Sequence, residues 1–409
     1  MKHITLLACL ILVIFCFSCG EAASAGSARG ISSENLLSDA QHLYILNENV
    51  IQNGITVYST ATGQSASLCP DPLCSHGNDS PDCFLLHKRF TSAVLDGSTL
   101  YYCAELFGEQ RNVLGRYDLE KMQGEYLLSF DRSTGLEKFV KCGEKLYYCV
   151  RNEDGSCTVR VLDLKSRREK SLYTHDLLIK SLQADGGYLA LETMEGIYLG
   201  TADGENVRLA VTLNASMLNT CFWYLRDGYL YYPANRYEPA SWQSDGARHE
   251  TQLMPCDFYR CSADSDEQSG ECVLRDVGSA MLYDDGVFYY LPADDYILMK
   301  YYFHDQVSGD ADLPENLMSI PGNRKGIYRF DSVSGETAPV FAAENLFLTY
   351  IYYVSSEVIY AQGISTDGLH IDENGFAAEG LNGFLERYGY YSIHPQTGEY
   401  VLLERMFSA

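Results

Sequence analysis

The most pointed chemistry in this chain is a knot of thiols around one imidazole. Cys69-Pro70-Asp71-Pro72-Leu73-Cys74-Ser75-His76 is followed by Cys83. Three thiolates and one imidazole make a tetrahedral Cys₃His donor set of the kind that holds structural zinc. The spacing is not that of a standard finger. A disulfide-closed loop with His76 exposed is the competing reading, and it takes precedence in an exported chain. Structural zinc on Cys69, Cys74, His76 and Cys83 is the one cofactor the sequence suggests.

Carboxylates and aromatics supply the other chemistry. Asp294 and Asp295 lie next to each other, as do Asp372 and Glu373. Such pairs can serve as acid and base on a glycosidic bond. They recur by chance in a chain with 55 Asp and Glu, so they carry little weight alone. Tyr302 and His304 stand in one segment with Asp294 and Asp295, Tyr237 and Trp242 in the long segment before it, and Asp372 in the long segment after it. Flat rings beside carboxylates suit a sugar or a peptide ligand. Any one of these rings can equally be packing its own loop onto the body. No Gly-x-Ser-x-Gly elbow, His-Glu-x-x-His helix or phosphate loop is present. The principal reading is therefore a binding module. A carbohydrate-active hydrolase or lyase using those carboxylates is the alternative.

The remaining cysteines suggest staples. Of 14 Cys, Cys9, Cys16 and Cys19 fall in the first nineteen residues, which leaves an odd number after them. Cys149 and Cys157 flank Asp154-Gly155, and Cys261 and Cys272 flank a second chain reversal. Both pairs are expected to form cross-strand disulfides if the registers match. Cys103, Cys142, Cys221 and Cys256 suit plain buried thiols.

The elements that must position these groups are legible from a repeated phrase. Leu95-Asp96-Gly97-Ser98-Thr99-Leu100-Tyr101-Tyr102 returns as Lys141-Cys142-Gly143-Glu144-Lys145-Leu146-Tyr147-Tyr148 and as Arg226-Asp227-Gly228-Tyr229-Leu230-Tyr231-Tyr232. Asp285-Gly286-Val287-Phe288-Tyr289-Tyr290 is a further copy, and looser ones begin at Asp39, Asp185 and Ser355. Each is followed by a second hairpin, as in Tyr328-Arg329-Phe330-Asp331…Ser334-Gly335-Glu336. Apolar/polar alternation around Gly turns is the pattern of half-buried hairpin strands. Turn positions 97, 143, 186 and 228 are 46, 43 and 42 residues apart, a blade-like period. Seven first hairpins and seven second hairpins predict an all-β chain, a seven-bladed β-propeller of four-stranded antiparallel blades.

The Asp-Gly…Tyr-Tyr…Tyr-x-Asp…Ser-Gly-Glu grammar, over about residues 35–405, resembles the low-density-lipoprotein-receptor type of propeller. It is more similar to the uncharacterised exported lipoprotein propellers of anaerobic Firmicutes. The receptor family's Tyr-Trp-Thr-Asp tetrapeptide, the sialidase Ser-x-Asp-x-Gly-x-Thr-Trp box and the Trp-Asp signature of eukaryotic scaffold propellers are missing. The resemblance implies a fold and an exported setting, and no activity.

Strand order predicts where a site should lie. With strands A to D in each blade, A–B and C–D links open on one face and B–C and D–A links on the other. The short Gly turns are A–B and C–D links. The long segments 69–89, 233–256, 291–324 and 361–389 are B–C or D–A links, so they should crowd one rim, where function usually resides.

The termini and the charge complete the reading. Lys2 and the apolar run from Ile4 to Phe17 read as an export signal over residues 1–18, too short to span a bilayer. Ser18-Cys19-Gly20 offers Cys19 for lipidation, with 19–34 as a tether and 35–409 as a single propeller domain. Cleavage after Ala23-Ser24-Ala25, releasing a soluble protein, is the alternative. The net charge of −25 argues against nucleic acid and anionic lipid as partners. The expected protein is a monomer on the outer face of the cytoplasmic membrane, or secreted. It touches membrane only through its anchor, and binds a protein or carbohydrate on the loop-rich face.

Overall fold

The computed structural model describes residues 36–38, 41–46, 54–59, 64–69, 85, 88–106, 109–131, 134–212, 222–235, 240–244, 247–251, 256–265, 270–292, 326–342, 345–368 and 386–405. Among these, every regular element is a strand, and no helix is long and apolar enough to cross a membrane.

Strands β1 (Leu36–Ser38), β2 (His42–Leu46), β3 (Ile55–Ser59) and β4 (Ser65–Ser67) form the first sheet, each pairing antiparallel with the next. The second sheet is β5 (Lys88–Asp96), β6 (Thr99–Leu106), β7 (Arg111–Asp118) and β8 (Gln123–Asp131). The third is β9 (Gly135–Cys142), β10 (Lys145–Arg151), β11 (Cys157–Asp163) and β12 (Glu169–His175). The fourth is β13 (Ser181–Asp185), β14 (Tyr188–Glu192), β15 (Gly196–Thr201) and β16 (Arg208–Thr212). Next come β17 (Tyr224–Arg226), β18 (Tyr229–Asn235), and a small separate hairpin of β19 (Ala240–Ser244) with β20 (Ala247–Thr251). Then follow β21 (Cys256–Ser262), β22 (Glu271–Asp284), β23 (Val287–Pro292), β24 (Ile327–Asp331) and β25 (Thr337–Phe341). The last sheet is β26 (Leu346–Val354), β27 (Ile359–Ser365), β28 (Tyr388–Ile393) and β29 (Tyr400–Arg405).

The expected seven separate four-stranded blades do not form. Five sheets are four-stranded, and β17, β18 and β21–β25 make one seven-stranded sheet. The cause is β22, which runs for 14 residues where a link was expected. Its first part pairs with β21 through Glu271, Cys272, Leu274 and Val277. Its second part pairs with β23 through Met281 to Asp284. No Pro or Asn interrupts it, and Gly278 is accommodated where the register shifts between Val277 and Met281.

The sheets stand in a ring. The first strand of each four-stranded sheet is innermost: β1 packs on β5, β5 on β9, β9 on β13, β13 on β17, and β22 on β26. The ring closes where β26 packs on β1, with Leu43, Ile45 and Tyr58 of the first sheet in one core cluster with Leu346, Ile351 and Tyr360 of the last. Among the described residues, no strand is shared across that seam.

The repeated phrase builds the turns. At Asp227-Gly228 both residues are left-handed, with φ 53° and 75°, which is the two-residue turn whose twist matches a hairpin. In the second hairpins the Asp carboxylate caps its own turn. Asp331 Oδ1 accepts from the Val333 and Ser334 N–H groups, and Asp118 Oδ1 accepts from Glu120 and Lys121. The Lys121 ammonium first, and then these backbone bonds, hold the Asp118 carboxyl below the usual range, and the backbone bonds do the same for Asp331. The second Tyr of the phrase needs room across the sheet: a Cβ on Gly115 would collide with the Tyr102 ring.

The expected disulfides are corrected by register. Cys157 stands opposite Arg151 while Cys149 stands opposite Val159. Cys272 stands opposite Tyr259 while Cys261 stands opposite Leu230 on the next strand. Each pair is two residues out of register, about 7 Å apart on the diagonal, against roughly 4 Å between the Cβ atoms of a disulfide. Neither pair is bridged.

Candidate functional site

The two faces of the ring differ in kind. The links β1–β2, β5–β6, β9–β10 and their equivalents, with the β7–β8 type of link, form a turn face. The opposite face carries the chain between β4 and β5, β16 and β17, β18 and β21, β23 and β24, and β27 and β28. This is the sidedness read from the repeat. The β19–β20 hairpin rises from this loop-rich face, and places Trp242 opposite His249 on its ladder. Tyr237, Asp294, Asp295, Tyr302, His304 and Asp372 lie outside the described residues, as do Cys74, His76, Cys83 and Cys19. Cys69 follows β4 on the loop-rich side and is half-buried.

Sequence reasoning missed a buried carboxyl on this face. Glu192 ends β14 and is 5% exposed. Trp223, just before β17, donates its indole N–H to Glu192 Oε2 at 2.7 Å, tying the fourth sheet to its neighbour. Burial pushes the Glu192 carboxyl up, against the Trp223 hydrogen bond and the nearby Lys180 and Lys138. Its only sequence signal was an acid closing the apolar run Leu189-Ala190-Leu191. A group raised above its unfolded value contributes stability below that unfolded value and loses it as pH rises through the folded one. Glu192→Gln is neutral throughout. Its melting temperature, relative to the parent, should therefore climb between mildly acidic and alkaline buffer. A constant difference in paired thermal scans would refute this.

Around Glu192 the links are short. Met194 and Leu178 lie exposed there, at 51% and 38%. On the β10–β11 link, Asn152 donates to the Ser156 and Thr158 hydroxyls at 2.8 and 3.0 Å. The described part of the face thus exposes Met194 and Leu178 and carries the Asn152, Ser156 and Thr158 hydrogen bonds.

The turn face holds a second polar cluster. The last residue of successive inner strands occupies one register position: Asp96 opposite Thr99, Cys142 opposite Lys145, Asp185 opposite Tyr188, Arg226 opposite Tyr229. Lys141 meets Asp96 at 2.5 Å. The Asp227 N–H donates to Asp185 Oδ2 at 2.7 Å, and the Tyr283 hydroxyl donates to Asp227 Oδ2 at 2.9 Å. Arg226, 1% exposed, donates to Gln183 Oε1 at 3.3 Å and to the Leu225 carbonyl at 2.6 Å. Its guanidinium lies 5.2 Å from the Tyr283 ring centre and 6.0 Å from that of Tyr224. Burial lowers its pKa and raises that of Asp185. Gln183 completes the join: it accepts from the Leu225 N–H at 3.0 Å and donates to the Trp223 carbonyl at 2.5 Å. One amide thereby bonds the next inner strand as a backbone would. These bonds clamp neighbouring sheets together on the turn face and hold no open carboxylate pair.

A ring of small antiparallel sheets around parallel inner strands defines the protein as a β-propeller. No known protein family matches the sequence, and no curated protein matches it. Among solved structures it is similar to a puromycin-hydrolysing peptidase of Mycobacterium tuberculosis, with 11% identity and a TM-score of 0.51 over 95% of this chain and 56% of that one. It is also similar to the β-propeller domain of the Trilobed protease from Pyrococcus furiosus, with 10% identity and a TM-score of 0.47 over 95% and 97%. A third is the oligogalacturonate lyase of Vibrio parahaemolyticus, with 8% identity and a TM-score of 0.45 over 80% and 79%. At such identities the likeness is one of fold alone.

Proposed function

We propose that this protein is an exported, lipid-anchored propeller that binds a protein or carbohydrate ligand on its loop-rich face. The observation that carries the reading is the two-sidedness of the ring. The turn face is closed by capped turns and by bonds between sheets. Among the described residues, the strand ends that border the long links lie at the opposite face, and a rigid scaffold with variable loops on one face is the usual layout of a binding site. Cys19 would hold the anchor, and Tyr237, Trp242, Asp294, Asp295, Tyr302, His304 and Asp372 would contribute to the site. A disulfide among Cys69, Cys74 and Cys83, or in second place zinc held by them with His76, would pin the link between the first two sheets. The test is an array of oligosaccharides and peptides, probed with the full chain and with a chain whose residues 236–252 are replaced by a short Gly-Ser link. Loss of the array signal by about tenfold or more, 1.4 kcal/mol in affinity, is expected on replacement. An unchanged signal removes the face from the reading. Shortened sugar products would instead establish the hydrolase or lyase.

A further inference from the structure

We infer that the outer strands carry a built-in guard against pairing with a second copy of this chain, and that β8 is where the guard matters most. A repeated irregularity of the outer ladders carries this. Among the described residues, six outer ladders shift register, and in each the outer strand holds an extra residue. The extra residues are Leu127, Leu172, Ala210, Val273, Val340 and Leu403. The shift falls three residues before the one that opens the turn, as at Gly115 before Asp118 and at Tyr328 before Asp331. On the first sheet the described β3–β4 ladder ends at that position, with Thr56 opposite Ser67. A bulge that recurs at one position of the repeat belongs to the architecture and not to one strand.

All six extra residues are apolar, and each packs against a core cluster between sheets. Where two residues oppose one, the alternation of a strand breaks and consecutive side chains share a face. Leu127 and Leu128 both reach the cluster between the second and third sheets, and Ala210 and Val211 both reach the one between the fourth sheet and β17–β18. Sheets set radially around an axis diverge outward, so the gap is widest at the outer strands. The extra side chain fills it there.

The same residue acts on the free edge. An outer strand presents a row of backbone N–H and C=O groups that can template another strand. Strand β8 is nine residues long, lies at the end of its sheet and contains neither Lys nor Pro, the residues that commonly blunt such an edge. Its Tyr126 is 43% exposed. Without Leu127, its remaining residues would alternate regularly. Set antiparallel against a second copy about a two-fold axis between Tyr126 and Leu128, they bring Tyr126 against Leu128, Glu125 against Ser129 and Asp131 against Gln123. No like charges meet, and a self-complementary edge of this kind closes as a dimer. With Leu127 present, the strand bends and its ladder breaks in the middle, leaving only short runs on either side.

The test deletes Leu127 from the full chain and compares it with Leu127→Ala, which keeps the extra residue and trims its side chain. Sedimentation velocity should give a single protomer for the parent and for Leu127→Ala, and twice that mass for the deletion. Amide exchange in β8 should slow in the deletion variant as its concentration rises. A folded deletion variant that stays a single protomer overturns the inference. A parent or a Leu127→Ala chain that pairs through β8 overturns it too. If the deletion does not fold, the parent decides alone. A lysine-tailed peptide of the Gln123–Asp131 sequence lacking Leu127 is added to it, and amide exchange in β8 is followed. Unchanged exchange is expected, and slowed exchange in β8 shows an open edge and overturns the guard.

Discussion

Replacing Phe288 by alanine is expected to lower the free energy of unfolding by about 3–5 kcal/mol, the range for deleting a fully buried aromatic ring. Phe288 is the second residue of strand β23 and is completely buried. Five rings surround it: Tyr231 at 4.8 Å, Tyr283 at 4.9 Å, Phe258 at 5.3 Å, Tyr224 at 5.4 Å and Phe330 at 6.2 Å between centroids. These come from β17, β18, β21, β22 and β24, so one side chain joins both halves of the seven-stranded sheet. Edge-to-face contacts with Tyr224 and Phe258 add to the area term. The neighbours are themselves rings on paired strands and cannot collapse far into the space. Urea unfolding should show an earlier midpoint with an unchanged slope. Val333→Ala, on an exposed turn, should shift stability by no more than about 0.5 kcal/mol. A Phe288→Ala loss no larger than that of the Val333 control would contradict the packing account.

The second large effect is a contrast between two substitutions at Arg226. A buried guanidinium loses its water, and here it gains one side-chain acceptor, one carbonyl and two ring faces in return. Arg226→Met keeps the bulk between Tyr224 and Tyr283 and removes the desolvated charge. Its stability should stay within about 1 kcal/mol of the parent, or rise. Arg226→Ala removes the bulk as well, leaving a cavity between inner strands, and should cost about 2–5 kcal/mol. Thermal and urea unfolding of the two variants side by side decides the matter. Equal, severe losses would show that the charge itself holds the sheets together, through the nearby Asp185 and Asp227 carboxylates.

Much of the architecture could be read from the residues, because a Gly turn fixes both a chain reversal and the face on which it occurs. The Asp-Gly and Ser-Gly-Glu turns gave strand order, and strand order gave the two faces. What was not legible depended on single-residue offsets. A turn centred one residue along moves a hairpin register by two, which is why Cys149 and Cys157 look opposed in the sequence and miss each other on the sheet. Strand β22 was hidden because Glu271 to Asp284 contains a Gly and a Ser where a link was expected, yet those residues continue the ladder. The Glu192–Trp223 bond joins groups 31 residues apart on different sheets, and no local pattern announces it. Arg226 was visible only as a departure, a basic residue where other copies of the phrase carry Asp or Cys. The rim residues Tyr237, Asp294, Asp295, Tyr302, His304 and Asp372 fall outside the described residues, so the loop-rich face is defined by its links and by Glu192, Trp223 and Met194.

The unbroken course of β22 bears on how the molecule breathes. A propeller of separate blades opens blade by blade, each protected from solvent exchange to its own degree. Where one strand is both the last rung of one ladder and the first of the next, neither ladder can fray at that edge without the other. Residues from Tyr224 to Phe341 that belong to the shared sheet should thus exchange their amide protons as one cooperative unit, the slowest in the ring. The links that rise from it, including the one bearing Trp242, stand on the stiffest foundation the protein has.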